Sequence, residues 1–181
     1  RGAEARDLMV NLEWRRGRVL RRLGQGGLAL RAYQRAVDHI EAIRQDIPVE
    51  YTDGRSSFRE TLEPVYLGLA DLLLLQANDA GPEQQAQLIR QAMDTVELIK
   101  QTELEDFLGD RCVTEAVRAA TRAIPAGTAV LYPILLPERL ELLVETAGGL
   151  QRRTVNVAAE QIRTASQRLA RAMRNLSAYE Q

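Results

Sequence analysis

Apolar residues recur every three or four positions through the first hundred residues, and turn residues interrupt this pattern. The spacing places apolar side chains on one face of each segment, which predicts amphipathic helices. Breaks at residues 24–27, at Pro48 and at Gly81-Pro82 divide the region into four helices. A capping-box spacing at residues 57–60 marks the start of the third helix. The sequence therefore predicts two antiparallel helix pairs.

The period changes after Pro125, where compact apolar runs replace the helical spacing. Residues 128–136, 140–146 and 150–157 are short, apolar or alternating, and bounded by Gly or Pro, which predicts three strands in an antiparallel meander. Apolar residues then return at helical spacing from Ala158 onwards and predict one final helix.

The predicted fold is mainly α with a small α+β part. We expect a helical module over residues 1–107, a junction over 108–127, and the meander with its helix over 128–181. Charge is unevenly distributed along the chain, with a net charge of +6 over residues 1–37, −11 over 38–110 and +4 over 111–181. Such segregation matters for the choice of partner more than the overall charge of −1 does.

The first helix pair contains a set of small and large residues at fixed offsets: Gly17, Leu20, Gly24, Ala29, Tyr33 and Ala36. With these residues, the pair resembles a tetratricopeptide repeat. Small residues stand where two helices must approach closely, and a large aromatic residue fills the gap between turns. The resemblance implies stacked antiparallel helix pairs in which the first helix of each pair lines a concave surface. Trp14 stands one position from the aromatic site of such a repeat.

Further along the chain, three segments carry a second resemblance: residues 97–100, 103–112 and 129–142. They are similar to the junction that precedes CHAT domains in bacterial proteins with upstream tetratricopeptide repeats. This resemblance implies the beginning of a caspase-like cysteine peptidase, with the upstream repeats as a recognition or regulatory arm. The catalytic His and Cys of that family follow the meander and its helix, and no position here matches either. We therefore expect a segment that is not itself an enzyme and whose parent protein has its active site beyond Gln181.

The chain has few residues suited to chemistry of its own. His39 and Cys112 are the only histidine and the only cysteine, and we interpret them as a surface side chain and a small buried apolar side chain. One His and one Cys cannot complete a zinc site, and the acidic residues at 103–110 are typical of a solvated helix end. Residues 24–27 lack the Lys and Ser/Thr of a phosphate loop. No catalytic residue, metal or cofactor is predicted.

Binding is the more promising function. Five residues fall on one face of the first helix and combine an aromatic platform with guanidinium groups, which suit an acidic peptide. Two alternatives stay open: Trp14 packs against the next helix while the arginines are solvated, or the acidic middle segment neutralises the basic first segment. The predicted protein- or peptide-binding residues are Asn11, Trp14, Arg18, Arg21 and Arg22.

Other partner classes fit the composition less well. Aromatic residues make up 4% of the chain, too few for base stacking, so nucleic acid is disfavoured. No apolar run is long enough to span a bilayer, and the single Cys fits a cytoplasmic protein. Strands this apolar need to be covered by another layer of protein, so we also expect a homodimer that forms through an exposed sheet. The alternative function is accordingly an autonomous α+β homodimerisation domain with no ligand groove.

Overall fold

A computed structural model describes the backbone of residues 2–43, 62–108 and 124–177. The chain forms two compact units, Arg1–Arg122 and Ala123–Gln181, and each is described by itself. The described residues form five helices and one three-stranded antiparallel sheet. The predicted fold class, mainly helical with a β-meander and a final helix, is confirmed. No helix among these residues is both long enough and apolar enough to cross a membrane.

Four helices build the first unit: α1 (Gly2–Arg22), α2 (Gly26–Ile43), α3 (Glu63–Gln76) and α4 (Pro82–Leu108). Helix α2 packs against both α1 and α3, and α3 packs against α4. Short turns join α1 to α2 and α3 to α4, where Gly and Pro residues break the apolar pattern. The predicted capping box at residues 57–60 lies outside the described residues.

The Tyr33 side chain of α2 lies between neighbouring helices of this unit and keeps them apart, and we refer to it as the wedge. Its ring is buried between Gly17 of α1 and Gly68 of α3. A Cβ atom at position 17 would lie 2.5 Å from Tyr33 Cδ2, and one at position 68 would lie 2.9 Å from Cζ and closer still to Cε1. Real Cβ atoms do not approach so closely, so both positions require glycine. One aromatic ring therefore sets the spacing of three helices.

The second unit contains β1 (Ala129–Leu135), β2 (Leu140–Thr146), β3 (Gly149–Val155) and α5 (Ala159–Ser177). The strands pair antiparallel in the order β1-β2-β3. Tight connections between consecutive strands produce this meander, as the Gly and Pro residues between the apolar runs predict. At the end of the sheet, the amide of Ala159 donates a hydrogen bond to the carbonyl oxygen of Leu136 at 3.3 Å, which ties the start of α5 to the sheet.

The two faces of the sheet differ in exposure. Ile134, Glu141 and Leu143 share one face through the strand pairing, and all three are fully buried. On the opposite face, Leu131 is 59% exposed and Val155 is also exposed. An apolar side of the sheet thus faces solvent, which is uncommon for a sheet in a folded unit.

Candidate protein-binding surface on the first helix

Trp14 and Arg18 form the centre of the predicted binding face. The Arg18 guanidinium carbon lies 5.3 Å from the centroid of the Trp14 ring, and the two residues are one helical turn apart. This is a cation–π contact, worth about 0.5–1 kcal/mol at an exposed site. Trp14 is half-buried and Arg18 is exposed. The indole therefore supports a guanidinium whose outer edge remains accessible to a ligand.

Arg21, one turn further along α1, is joined to α3. Its guanidinium makes an ion pair and a hydrogen bond with the carboxylate of Asp71, which is buried. A buried carboxylate requires such a partner, because an unpaired charge in the interior is costly. Arg21 thus fixes α1 against α3 in addition to contributing charge to the surface. Arg21 belongs to the segment of net charge +6 and Asp71 to the segment of net charge −11, so this is one ion pair between the two oppositely charged segments.

Tyr33 lies beneath the same surface. Burial raises the pKa of the Tyr33 hydroxyl, while the positive charges of Arg21 and Arg18 oppose the rise. The phenol therefore stays neutral at physiological pH, and the wedge that spaces the helices also supports the binding face from below.

A second ion pair fixes the orientation of α1. Arg35 of α2 donates a hydrogen bond to Glu13 at 2.9 Å, and Glu13 is buried. This hydrogen bond lowers the pKa of Glu13 despite the opposing effect of burial. Because Glu13 precedes Trp14 directly, the pair limits rotation of α1 about its axis and holds the indole in place.

Asn11 and Arg22 lie at the two ends of this face. Asn11 is half-buried and stands one turn before Trp14, while Arg22 is exposed at the last position of α1. A cation at a helix C-terminus is favoured by the helix dipole. The structure thus brings Trp14, Arg18 and Arg21 into one cluster, with the other two predicted residues at its margins.

His39, Cys112 and the acidic residues at 103–110 are the other residues that the sequence singled out. His39 is half-buried on α2, and Cys112 lies outside the described residues, as do the side chains of the acidic residues at 103–110. No group of three or more His, Cys, Asp or Glu side chains in the described part of the chain could hold a metal ion.

Glu141 forms a polar cluster that the sequence did not reveal. Its carboxylate is fully buried and accepts hydrogen bonds from Arg139 Nε at 2.6 Å, from Arg152 Nη2 at 2.7 Å and Nε at 2.9 Å, and from Thr154 Oγ1 at 2.8 Å. Burial raises the pKa of Glu141, but these hydrogen bonds outweigh it and lower the pKa to about 2.

Both carboxylate oxygens of Glu141 are thus occupied by the protein's own donors, so the cluster is structural and offers no ligand position. The available signal was an interrupted alternation, since Glu141 occupies an inward-facing strand position. Arg152 and Thr154 stand on the neighbouring strand, and Thr154 is its direct cross-strand partner.

No family model, curated protein or solved structure matches this chain. The resemblances to tetratricopeptide repeats and to CHAT proteins therefore remain predictions from the sequence.

Proposed function

We propose that the helical unit is a protein-binding module that takes an acidic peptide across the Trp14–Arg18 face of α1. The observation that carries this proposal is the exposed Arg18 guanidinium stacked on the half-buried Trp14 ring. A guanidinium pairs with a carboxylate through two parallel hydrogen bonds, and an indole supplies apolar contact area. Together they fit a peptide that alternates acidic and apolar side chains.

The scaffold around this face supports the proposal. Tyr33 spaces α1 from α3, the Arg21–Asp71 pair joins the same two helices, and the Glu13–Arg35 pair fixes α1 on α2. A surface held in place before binding loses little conformational entropy when a ligand arrives. In a CHAT-family protein such a module would regulate a caspase-like peptidase domain, and that part of the proposal rests on sequence resemblance alone.

Fluorescence anisotropy with a labelled peptide tests the proposal. The probe is an eight-residue peptide of alternating Glu and Leu, and its control has Gln in place of Glu. We expect the Glu peptide to bind the 181-residue chain, and Arg18→Glu to weaken that binding by about tenfold or more. Arg31→Glu is the matched control, because Arg31 is equally an exposed arginine but stands on α2. Equal losses of peptide affinity in the two variants would mean that the peptide responds only to net charge, and would contradict the proposed site.

Self-association through the sheet is the second candidate function. The observation that favours it is the solvent-facing apolar side of the meander, where Leu131 and Val155 are exposed. Exposed apolar patches on sheets commonly bind other protein surfaces, and a second copy of the chain presents the same patch. This function needs no ligand groove, and the association state of the chain in solution tests it.

A further inference from the structure

Helix α1 exposes a second surface that the proposed peptide site does not use. Leu8, Leu12, Val19 and Leu23 are 69%, 58%, 55% and 65% exposed, respectively. They are spaced by four, seven and four residues, so at about 100° per residue they fall within about 60° of one another around the helix. We refer to these four residues as the outer stripe.

The outer stripe lies away from the face of α1 that packs against the described parts of α2 and α3. Among the described side chains of α1, Val10, Glu13 and Gly17 are buried, and they lie on the other side of the helix. A surface helix normally has a single apolar face, which is turned toward the core. An additional row of four large apolar side chains in solvent is instead typical of a surface that binds another protein.

Arginines border the outer stripe on both sides. Arg15 and Arg16 lie between Leu12 and Val19 in the sequence. They stand on opposite sides of the outer stripe, and both are exposed. Arg16 Nη1 lies 3.6 Å from Glu13 Oε1, and because the Arg16 side chain is 55% exposed, this long ion pair contributes little. Pairing of two α1 helices through this stripe would bring these arginines face to face, so the charge disfavours a second copy as the occupant.

We propose that the outer stripe docks an amphipathic helix of a partner protein that carries Asp or Glu on both sides of its apolar row. Leu8 to Leu23 spans fifteen residues, about 22 Å of helix, which corresponds to about four turns of a partner. Apolar contact provides the attraction, and the flanking charge pairs select the partner and its orientation. This surface lies on a different face of α1 from Trp14 and Arg18, so the inference does not depend on the proposed peptide site.

Two labelled helical peptides of about eighteen residues probe the proposal. Both carry leucines along one face; one has Glu on the flanks and the other has Lys. Anisotropy titration of the full chain should show the Glu peptide binding at least about tenfold more tightly than the Lys peptide. The Arg15→Glu, Arg16→Glu double variant should reverse this preference. Equal affinities for the two peptides, in the unchanged chain or in this variant, would overturn the proposal.

Apolar variants test the stripe itself. The Leu12→Ser, Val19→Ser double variant removes exposed side chains and should weaken the Glu peptide by at least about tenfold. Leu169→Ser is the matched control, because Leu169 is 63% exposed on α5, and it should leave the affinity unchanged. Circular dichroism verifies that each variant is folded. An unchanged affinity in the double variant, or a dimer that only the stripe variant abolishes, would refute docking of a partner helix.

Arg18→Glu separates the two surfaces of α1. It should weaken the short acidic peptide and leave the helical Glu peptide bound within about twofold, because Arg18 lies away from the outer stripe. Parallel losses for both ligands would mean that they share one site, which would contradict the assignment of a second surface.

Discussion

Replacing Glu141 with Gln should destabilise the sheet unit more than any other single change of similar size on β2. The substitution keeps the shape of the side chain but removes its charge. Arg139 and Arg152 would then face an amide that offers a single acceptor oxygen, where the native carboxylate accepts four hydrogen bonds. Two mostly buried guanidinium groups would lose the negative charge of Glu141.

The size of this effect follows from the pKa of Glu141. A shift from the ordinary value of 4.5 to about 2 corresponds to about 3 kcal/mol of preferential stabilisation of the charged form. Measured losses on breaking buried ion pairs are about 3–5 kcal/mol, which agrees with this figure. Glu145→Gln is the control, because Glu145 is half-buried rather than fully buried on the same face, and the hydrogen bond that it accepts from Tyr132 is long, at 3.4 Å. We expect it to cost less than about 1 kcal/mol.

Hydrogen exchange of the β2 amides, residues 140–146, is the appropriate assay. Trp14 is the only tryptophan and belongs to the helical unit, so its fluorescence does not report on the sheet. At neutral pH a loss of about 3 kcal/mol accelerates exchange by about 150-fold when the amides exchange through unfolding. Exchange within about threefold of the unchanged chain, or equal acceleration by Glu145→Gln, would refute the assigned role of the carboxylate.

The same cluster predicts how the sheet unit responds to acid. The folded-state pKa of Glu141 lies below its unfolded value, so its contribution is present in full above about pH 5 and is lost as the pH falls toward 2. Protection of β2, corrected for intrinsic exchange rates, should decrease over this window by about 3 kcal/mol more in the unchanged chain than in Glu141→Gln. Identical pH profiles would contradict this.

Two further predictions concern the wedge and the open sheet face. Gly68→Ala should destabilise the helical unit by about 1–3 kcal/mol, because the added Cβ overlaps the Tyr33 ring. Gly27→Ala is the control, because a Cβ at position 27 meets open space and should not destabilise the unit. Urea unfolding followed by Trp14 fluorescence compares the two variants, and equal unfolding midpoints would refute the role of Tyr33 as a wedge. Light scattering should show concentration-dependent association of the chain that Leu131→Asp abolishes, and a strict monomer at high concentration would exclude the sheet as a dimer surface.

Local periodicity was sufficient to predict most of the fold. The buried residues of α2 include Ala29, Ala36 and Ile40 on the face that the sequence pattern defined, and β1 ends within one residue of its predicted bounds. Such repeating patterns depend only on residues that are close together in the sequence. The same logic placed Trp14 and Arg18 one turn apart on α1, where the structure shows them in contact.

Long-range polar pairs were beyond this reasoning. Asp71 stands in an otherwise apolar stretch of α3, and its partner Arg21 precedes it by fifty residues. Nothing near either residue in the sequence indicates the other. Glu141 presented a related difficulty, because its donor Arg152 is recognisable only once the register of the hairpin is known. The spacing of residues predicts which face of a helix or strand a side chain lies on. Whether that side chain then faces solvent or pairs with a counter-ion distant in the sequence depends on packing.

The position of the Tyr33 ring has a mechanical consequence for recognition. Because the ring touches Gly17 and Gly68 at once, α1 cannot slide along α3 without forcing an aromatic group through a backbone. We therefore expect the receptor side of a complex on α1 to move little on binding, so that the loss of conformational freedom falls on the arriving chain. Association should accordingly proceed in a single kinetic phase, with dissociation rates distinguishing one ligand from another.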